Sequence, residues 1–199
     1  MPFLITALVG FLVLPFSATA PLPAEASFAT TKVGVSAKLA LADSKSAVAP
    51  FTVQLTAYNA LPEQTDATPF VTASGSFSNP EVIAARSNDL KGTLPFGTVI
   101  ALTQVGTDSN SCKYSKVESQ IGYRVIADSM NPRISNTVDV LLDQNKTVWV
   151  DGREVNPGIA LGRCGQVSIQ IVGQMNVKDI PETQAELAAM VSPSHLATR

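Results

Sequence analysis

Two aspartates, Asp128 and Asp139, have the setting in this chain that best suits them to chemistry. The apolar run Tyr123–Ala127 leads into Asp128, a polar loop follows, and Asp139 opens the next apolar run. Carboxylates at neighbouring strand ends can come close in space, and like charge with partial burial then raises the pKa of one of them. Such a group can act as a general acid near neutral pH. The alternative is that each aspartate caps a turn, a frequent role of this residue type.

The segments around the two aspartates have the alternating pattern of β-strands. Val138, Val140 and Leu142 share one face of a strand, so Asp139 should project from the other. Phe51–Tyr58 alternates in the same way and is rich in β-branched residues. The further predicted strands are Val82–Ala85, Thr98–Val105, Tyr123–Ala127, Val138–Leu142 and Gln166–Val172. Short strands at this spacing, separated by Gly, Pro and Asn turns, favour a closed barrel or a sandwich.

Two smaller elements accompany the predicted strands. Asp151-Gly152 lies between Thr147–Val150 and Arg153–Val155, which predicts a two-residue β-hairpin. Pro181–Met190 predicts a short helix in a tail that covers residues 176–199, and no long helical periodicity is found inside 51–175. The expected organisation is therefore one all-β domain over residues 51–175 with short helical segments and flexible ends.

The N-terminus predicts export. An apolar run of about fourteen residues, from Phe3 to Phe16, is shorter than the roughly twenty residues that span a bilayer. Ala18-Thr19-Ala20 and Ala24-Glu25-Ala26 then offer small-x-small cleavage patterns, so residues 1–26 are interpreted as a signal peptide, although no Lys or Arg precedes the run. A buried helix or an uncleaved membrane anchor is the alternative. Residues 27–50, rich in Ala, Ser and Lys, are interpreted as a disordered linker.

Cys112 and Cys164 are the two cysteines of the chain. In an exported protein an even number of cysteines favours a disulfide, and two unrelated thiols are the alternative. With one histidine in addition, the chain has too few ligands for a structural zinc site. A formal net charge of −2 makes nucleic acid an unsuitable partner, because its binding depends on neutralising phosphates with Lys and Arg.

A series of short motifs occurs in a fixed order on both sides of the aspartates. The motifs are Thr56-Ala57-Tyr58, Thr72-Ala73-Ser74-Gly75, Val82-Ile83-Ala84, Leu94-Pro95-Phe96-Gly97-Thr98, then Leu161-Gly162-Arg163 and Val167-Ser168-Ile169. Over about residues 53–173 this series resembles the three-aspartate (3D) domain of the membrane-bound lytic transglycosylase A family and of related bacterial cell-wall proteins. It is also similar to the rare-lipoprotein-A and expansin-like barrels.

The resemblance implies a six-stranded double-psi β-barrel with the aspartates in a groove. It implies that the chain cleaves the bond between N-acetylmuramic acid and N-acetylglucosamine in peptidoglycan, with Asp139 as general acid and then base. Asp128 would tune the pKa of Asp139 and hydrogen-bond the sugar. The residues expected to contact the glycan are Tyr58, Thr72, Ser74, Ser129 and Asn131. For Tyr58 and Thr72 the alternative is a role in packing. No metal or cofactor is implied, because the 6-hydroxyl of the substrate is the nucleophile.

The chain departs from the family pattern at three places. Asp128-Ser129-Met130-Asn131 stands where the family has Asp-Thr-Gly-Gly, so a hydroxyl is kept and both glycines are replaced. The first family aspartate falls on Ala85 or Arg86, and Asp89 is a candidate to replace it from a longer loop. The Thr147–Val155 hairpin lengthens the segment before the Leu161-Gly162-Arg163 turn.

Other polar or aromatic residues are weaker candidates. Glu63 and Asp66 lie in the loop after the first strand and either reach the groove or are simply solvated. Trp149 on the hairpin is either a sugar platform or a core residue.

We therefore expect a monomeric protein, exported to the cell envelope or medium, with peptidoglycan glycan strands as its partner. Contact with a membrane is expected only through an uncleaved N-terminus. The alternative function is a non-catalytic glycan-binding module. An aspartic-protease-like barrel is disfavoured because no Asp-Thr-Gly occurs at either strand end.

Overall fold

A computed structural model describes residues 40–41 and 48–192. The predicted signal peptide over residues 1–26 lies outside the described residues, as do most of the predicted linker over 27–50 and the chain after 192. No helix within the described ranges is long and apolar enough to cross a membrane.

The described chain is mostly β-strand, with a few short helices. Its strands are β1 (Ala40–Leu41), β2 (Phe51–Tyr58), β3 (Ile83–Arg86), β4 (Thr98–Gln104), β5 (Tyr123–Ser129), β6 (Thr137–Leu141), β7 (Val148–Val150), β8 (Arg153–Val155) and β9 (Cys164–Gln174). Its helices are α1 (Tyr114–Ile121), α2 (Pro157–Leu161) and α3 (Gln184–Val191), with 3-10 turns at Asn88–Gly92 and Val177–Asp179. The six predicted barrel strands are all present, as are the hairpin β7–β8 and the C-terminal helix.

Six of these strands close into a barrel in the order β9-β2-β6-β3-β5-β4, and β4 pairs back onto β9. β2 is parallel to β6 and β3 is parallel to β5, whereas the other four pairings are antiparallel. β6 is therefore inserted between β2 and β3, and β5 between β3 and β4, which is the interlocked connectivity expected of a double-psi barrel. The predicted fold class is confirmed. The two-residue strand β1 adds to β9 outside the ring.

Two apolar clusters lie on the two faces of the barrel sheet, one on the inner face and one on the outer face. The inner cluster takes buried residues from all six barrel strands and so fills the barrel: Val53, Leu55, Ala84, Ile100, Leu102, Ile126, Val138, Val140, Val167 and Ile169. The outer cluster contains Tyr58, Ala85, Ala127 and Leu141 and packs against Leu187 and Val191 of α3. As predicted, Val138, Val140 and Leu142 belong to the inner cluster, and Asp139 lies on the other face.

The helices α1 and α2 lie between strands of the domain, in segments whose sequence shows no helical periodicity. Tyr114, Val117 and Ile121 of α1 are buried on one side of the helix, so eight residues carry an apolar stripe too short to stand out as a period. In α2 the Asn156 side chain accepts a hydrogen bond from the backbone of Gly158, and Pro157 occupies the first helical position. Asn followed by Pro is a helix-start signal.

A buried arginine and a disulfide fix the chain segments around the barrel. Arg124 on β5 is fully buried, and its guanidinium donates to the backbone carbonyls of Pro80, Ile83, Gln120, Ile121 and Leu141. Burial lowers the pKa of Arg124 to about 10, so it keeps its charge at neutral pH. Cys112 and Cys164 form the predicted disulfide, which joins the loop before α1 to the start of β9.

Candidate functional site

Both aspartates line one open groove of about 620 Å³, here called the aspartate groove. The residues that line it are Tyr58, Gln64, Thr65, Asp66, Thr68, Pro69, Val71, Thr72, Ala73, Ala85, Asp128, Ser129, Met130, Asn131, Ile134 and Asp139. They come from the barrel strands and from two loops, one following β2 and one following β5. The predicted convergence of Asp128 and Asp139 on one groove is therefore present.

Strand register brings the two aspartates to the same level of the barrel. Thr56 on β2 pairs with Asp139 on β6, Asp139 pairs with Ala85 on β3, and Ala85 pairs with Asp128 on β5. The aspartates thus stand two strands apart, with Cα atoms about 10 Å from each other at ordinary strand spacing. An irregularity between Ala84 and Ala85 in the β3–β5 pairing sets Asp128, rather than Ala127, beside Ala85. Bulges commonly redirect a side chain in this way at functional sites.

Asp139 has the environment of a general acid. Its Oδ1 accepts a hydrogen bond of 2.7 Å from Thr56 Oγ1. Burial raises the pKa of Asp139 to about 6, the Thr56 hydrogen bond opposes that rise, and the charge of Asp128 adds to it. Burial disfavours the ionised carboxylate, so a large fraction of this side chain holds a proton in mildly acidic solution.

Asp128 is held by three donors. Its Oδ2 accepts a hydrogen bond of 3.0 Å from Tyr58 Oη, and its Oδ1 accepts 2.8 Å bonds from the backbone N–H groups of Ala73 and Ser129. Burial, followed by the negative charge of Asp128, raises the pKa of Tyr58, so the phenol stays protonated as a donor. Asp128 therefore lines the groove and also accepts hydrogen bonds from two backbone N–H groups, as an aspartate that caps a turn does.

The residues expected to contact a glycan are only partly gathered in the groove. Tyr58, Thr72, Ser129 and Asn131 line it, whereas Ser74 does not. Ser74 lies at a separate cavity of about 540 Å³, and its Oγ is within hydrogen-bond distance of Thr72 Oγ1 and Ser76 Oγ. Ser74 lies inside the tight turn that the hydrogen bond from Gly75 N–H to the Thr72 carbonyl closes, and the linear motif does not indicate which cavity a residue of that turn lines.

The weaker candidates separate in the structure. Asp66 lines the groove, where its Oδ1 accepts hydrogen bonds from the backbone N–H and hydroxyl of Thr68, while Glu63 is not among the lining residues. Trp149 is 65% exposed on the β7–β8 hairpin and does not line the groove, so it is not a core residue. Asp89 accepts a 2.9 Å hydrogen bond from the backbone of Asn136 and also lies outside the groove lining.

Ala85 and Arg86, the two positions at which the resemblance would place a further aspartate, carry no carboxylate. Ala85 lines the groove between the strands of Asp128 and Asp139, so no third carboxylate stands there. The neighbouring Arg86 is buried elsewhere, where its Nε donates to the carbonyl of Leu94 and its guanidinium lies 5.0 Å from the centre of the Phe96 ring. Within the described residues, no cluster of three or more His, Cys, Asp or Glu side chains could hold a metal ion.

Two features of the site were not found from the sequence. In the sequence Thr56 stands out only as part of a motif, and its hydrogen bond to Asp139 depends on the parallel pairing of β2 with β6, which joins residues 83 positions apart. The Ala73 N–H donor depends on the path of a loop.

Comparison with models of known protein families and with curated proteins found no match to this chain.

Proposed function

We propose that this chain is an exported, lytic-transglycosylase-like enzyme that cleaves the glycosidic bond between N-acetylmuramic acid and N-acetylglucosamine in peptidoglycan. One observation carries the proposal: an open groove holds a carboxyl group, that of Asp139, whose pKa is raised to about 6. The Cys112–Cys164 disulfide is compatible with export. The location we propose is the cell envelope or the medium.

In the proposed reaction Asp139 gives its proton to the glycosidic oxygen as the bond from that oxygen to C1 breaks. The resulting carboxylate then takes the proton of the substrate's own 6-hydroxyl, whose oxygen forms the new bond to C1. The products are a 1,6-anhydro sugar and a free hydroxyl on the leaving sugar. One carboxyl group suffices because the nucleophile belongs to the substrate, whereas most glycosidases need a pair.

Asp128 has capacity left to bind the sugar. A carboxylate offers about four lone-pair sites, and three of those on Asp128 are used by Tyr58, Ala73 and Ser129. The site left on Oδ2 can accept a hydrogen bond from a sugar hydroxyl, and the three donors fix its direction. The rest of the groove lining is rich in hydroxyl and amide side chains, which suit a polar glycan.

The arrangement favours glycan cleavage over an aspartic-protease reaction. In the protease dyad two carboxylates lie close enough to share a proton. Here Ala85 on β3 stands between the strands that carry Asp128 and Asp139.

A non-catalytic glycan-binding module is the second candidate. Two observations favour it: Ala85 and Arg86 occupy the positions at which the resemblance would place a further aspartate, and three structural hydrogen bonds already occupy Asp128. In this case the groove would bind a glycan strand without breaking it.

Incubation of the protein with peptidoglycan sacculi at pH 5 to 7 tests the proposal. Mass spectrometry should detect released 1,6-anhydro-muropeptides. The Asp139→Asn variant should lower the release at least about a hundredfold, since general acid catalysis contributes roughly that much. Asp66→Asn is the matched control, because Asp66 also lines the groove but is solvated, and it should release products at nearly the wild-type rate.

Two results would redirect the assignment. Sedimentation of the protein with sacculi, without any released product across the pH range, would support the binding module. Equal product release by the wild-type protein and by Asp139→Asn would show that another group supplies the proton.

A further inference from the structure

A second, smaller cavity adjoins the aspartate groove. It has a volume of about 210 Å³, and Met130 and Ile134 line both cavities. Thr56 also lines the smaller cavity while its hydroxyl donates to Asp139, so one residue connects the two. We call this cavity the arginine pocket, because Arg133 and Arg163 both line it.

The two cavities have opposite charge. The aspartate groove is lined by three aspartates, Asp66, Asp128 and Asp139, and by no Lys or Arg. The arginine pocket is lined by two arginines and by no acidic residue. Within the part of the chain that the structure describes, neither arginine forms a salt bridge. Two exposed arginines therefore line one small cavity, and within the described residues no carboxylate lines it or pairs with either of them.

The remaining polar lining of the pocket is neutral and suits an oxyanion. It consists of Gln54, Thr56, Ser135 and Thr137. Taking about 30 Å³ for one water, the pocket has room for roughly seven water-sized groups, enough for a carboxylate on a short acyl or peptidyl chain. Guanidinium groups bind carboxylates through paired, charge-assisted hydrogen bonds.

The backbone on both sides of the pocket is fixed. The N–H of Arg163 donates to the carbonyl of Ser111 at 2.7 Å, and the next residue, Cys164, is held by the disulfide. The N–H of Arg133 donates to Oδ1 of Asn131 at 3.0 Å. These hydrogen bonds set the backbone positions from which the two exposed arginine side chains extend.

We propose that the arginine pocket binds a carboxylate of the peptide branch of the substrate while the glycan lies in the aspartate groove. The inference rests on the proposed function, because it takes the peptide-bearing glycan as substrate. It adds a determinant of specificity, since glycan segments with a free peptide carboxylate would be positioned beside Asp139 better than bare glycan.

NMR titration tests the pocket with a defined probe. The ligand is N-acetyl-alanyl-alanine as the free acid, with its C-terminal amide and inorganic phosphate as comparisons. The free acid should shift the side-chain Nε–H signals of Arg133 and Arg163, and the amide should not. Arg153, an exposed arginine on the β7–β8 hairpin, serves as the internal control and should not respond. The proposal would be overturned by equal shifts at Arg153. It would also be overturned if inorganic phosphate shifted the Arg133 and Arg163 signals and the free acid did not.

Charge-removing variants give a second readout. Arg133→Gln and Arg163→Gln should each weaken binding of the free acid about tenfold, the loss expected for one charge-assisted hydrogen bond. Arg153→Gln should leave it unchanged, and thermal unfolding should confirm that all three variants are folded. Unchanged affinity in both pocket variants contradicts the inference.

A parallel titration with the peptide-free disaccharide of the wall separates this inference from the proposed function. If the free acid binds and the disaccharide does not, the inference about the arginine pocket stands and the proposed function is rejected. If the disaccharide binds and the free acid does not, the proposed function stands and the inference about the arginine pocket is rejected.

Discussion

The two groove carboxylates differ in what surrounds them. Asp139 receives one hydrogen bond, from Thr56, and burial raises its pKa to about 6. Asp128 receives three donors, two of them backbone N–H groups. A difference of this kind is how one fold assigns an acid role and a positioning role to two identical side chains.

The raised pKa of Asp139 makes the free energy of unfolding depend on pH. Between about pH 4 and pH 6 the folded protein holds a proton on Asp139 that the unfolded chain releases, so stability falls as pH rises through this window. Asp139→Asn removes this loss, and its stability relative to the wild type should improve by on the order of 2 kcal/mol from pH 4 to pH 7.5. Urea unfolding at the two pH values measures the difference.

Asp66→Asn is the control, because the contribution of Asp66 to the free energy of unfolding should change with pH in the opposite direction. Hydrogen bonds from Thr68 lower the pKa of Asp66, so its contribution to stability is present above its unfolded pKa and is lost as pH falls. If the difference in the free energy of unfolding between Asp139→Asn and the wild type is the same at both pH values, the pKa of Asp139 is not raised in the folded protein.

At the scale of single elements, the alternation of apolar residues predicted the strands, but it did not predict how the residues of the groove are brought together. The inner face of β6 follows from Val138, Val140 and Leu142, because period-two patterns translate directly into faces. The bulge that brings Asp128 beside Ala85 does not follow, because it depends on the pairing of β5 with β3. The aspartates themselves could be named from the sequence, whereas Thr56 and the Ala73 N–H could not, since long-range pairing and loop path place them.

The turn before β4 gives a test at this scale. Gly97 has a φ of 88°, and a Cβ added there would collide with the carbonyl oxygen of Met175, whose N–H donates to the Gly97 carbonyl at 2.9 Å. Gly75 has a φ of 83° with open space around it. Gly75→Ala should cost about 1 kcal/mol, the penalty of the left-handed backbone alone.

Gly97→Ala should destabilise the protein by at least about 2 kcal/mol more than Gly75→Ala, because backbone must move to admit the methyl group. Chemical unfolding of both variants measures the costs. Equal losses would mean that the contact with Met175 relaxes freely.

For the whole molecule the disulfide is a separate source of stability. Cys112 and Cys164 are 52 residues apart, and closing a loop of that length restricts the unfolded chain by about 4 kcal/mol in the chain-entropy account. Reduction with dithiothreitol should therefore lower the free energy of unfolding by about this amount. The double variant Cys112→Ser and Cys164→Ser should unfold equally with and without reductant. An unchanged free energy of unfolding after complete reduction would contradict the prediction.

The order of strands around the ring also determines when the protein can complete its fold. β9 pairs with both β2 and β4, and in sequence order it is the last of the six described barrel strands. A chain that has emerged only as far as residue 163 therefore has two unpaired strand edges, and such edges recruit other chains. Incomplete or truncated chains should aggregate rather than form a smaller stable sheet, and the barrel closes only after nearly the whole domain has been synthesised.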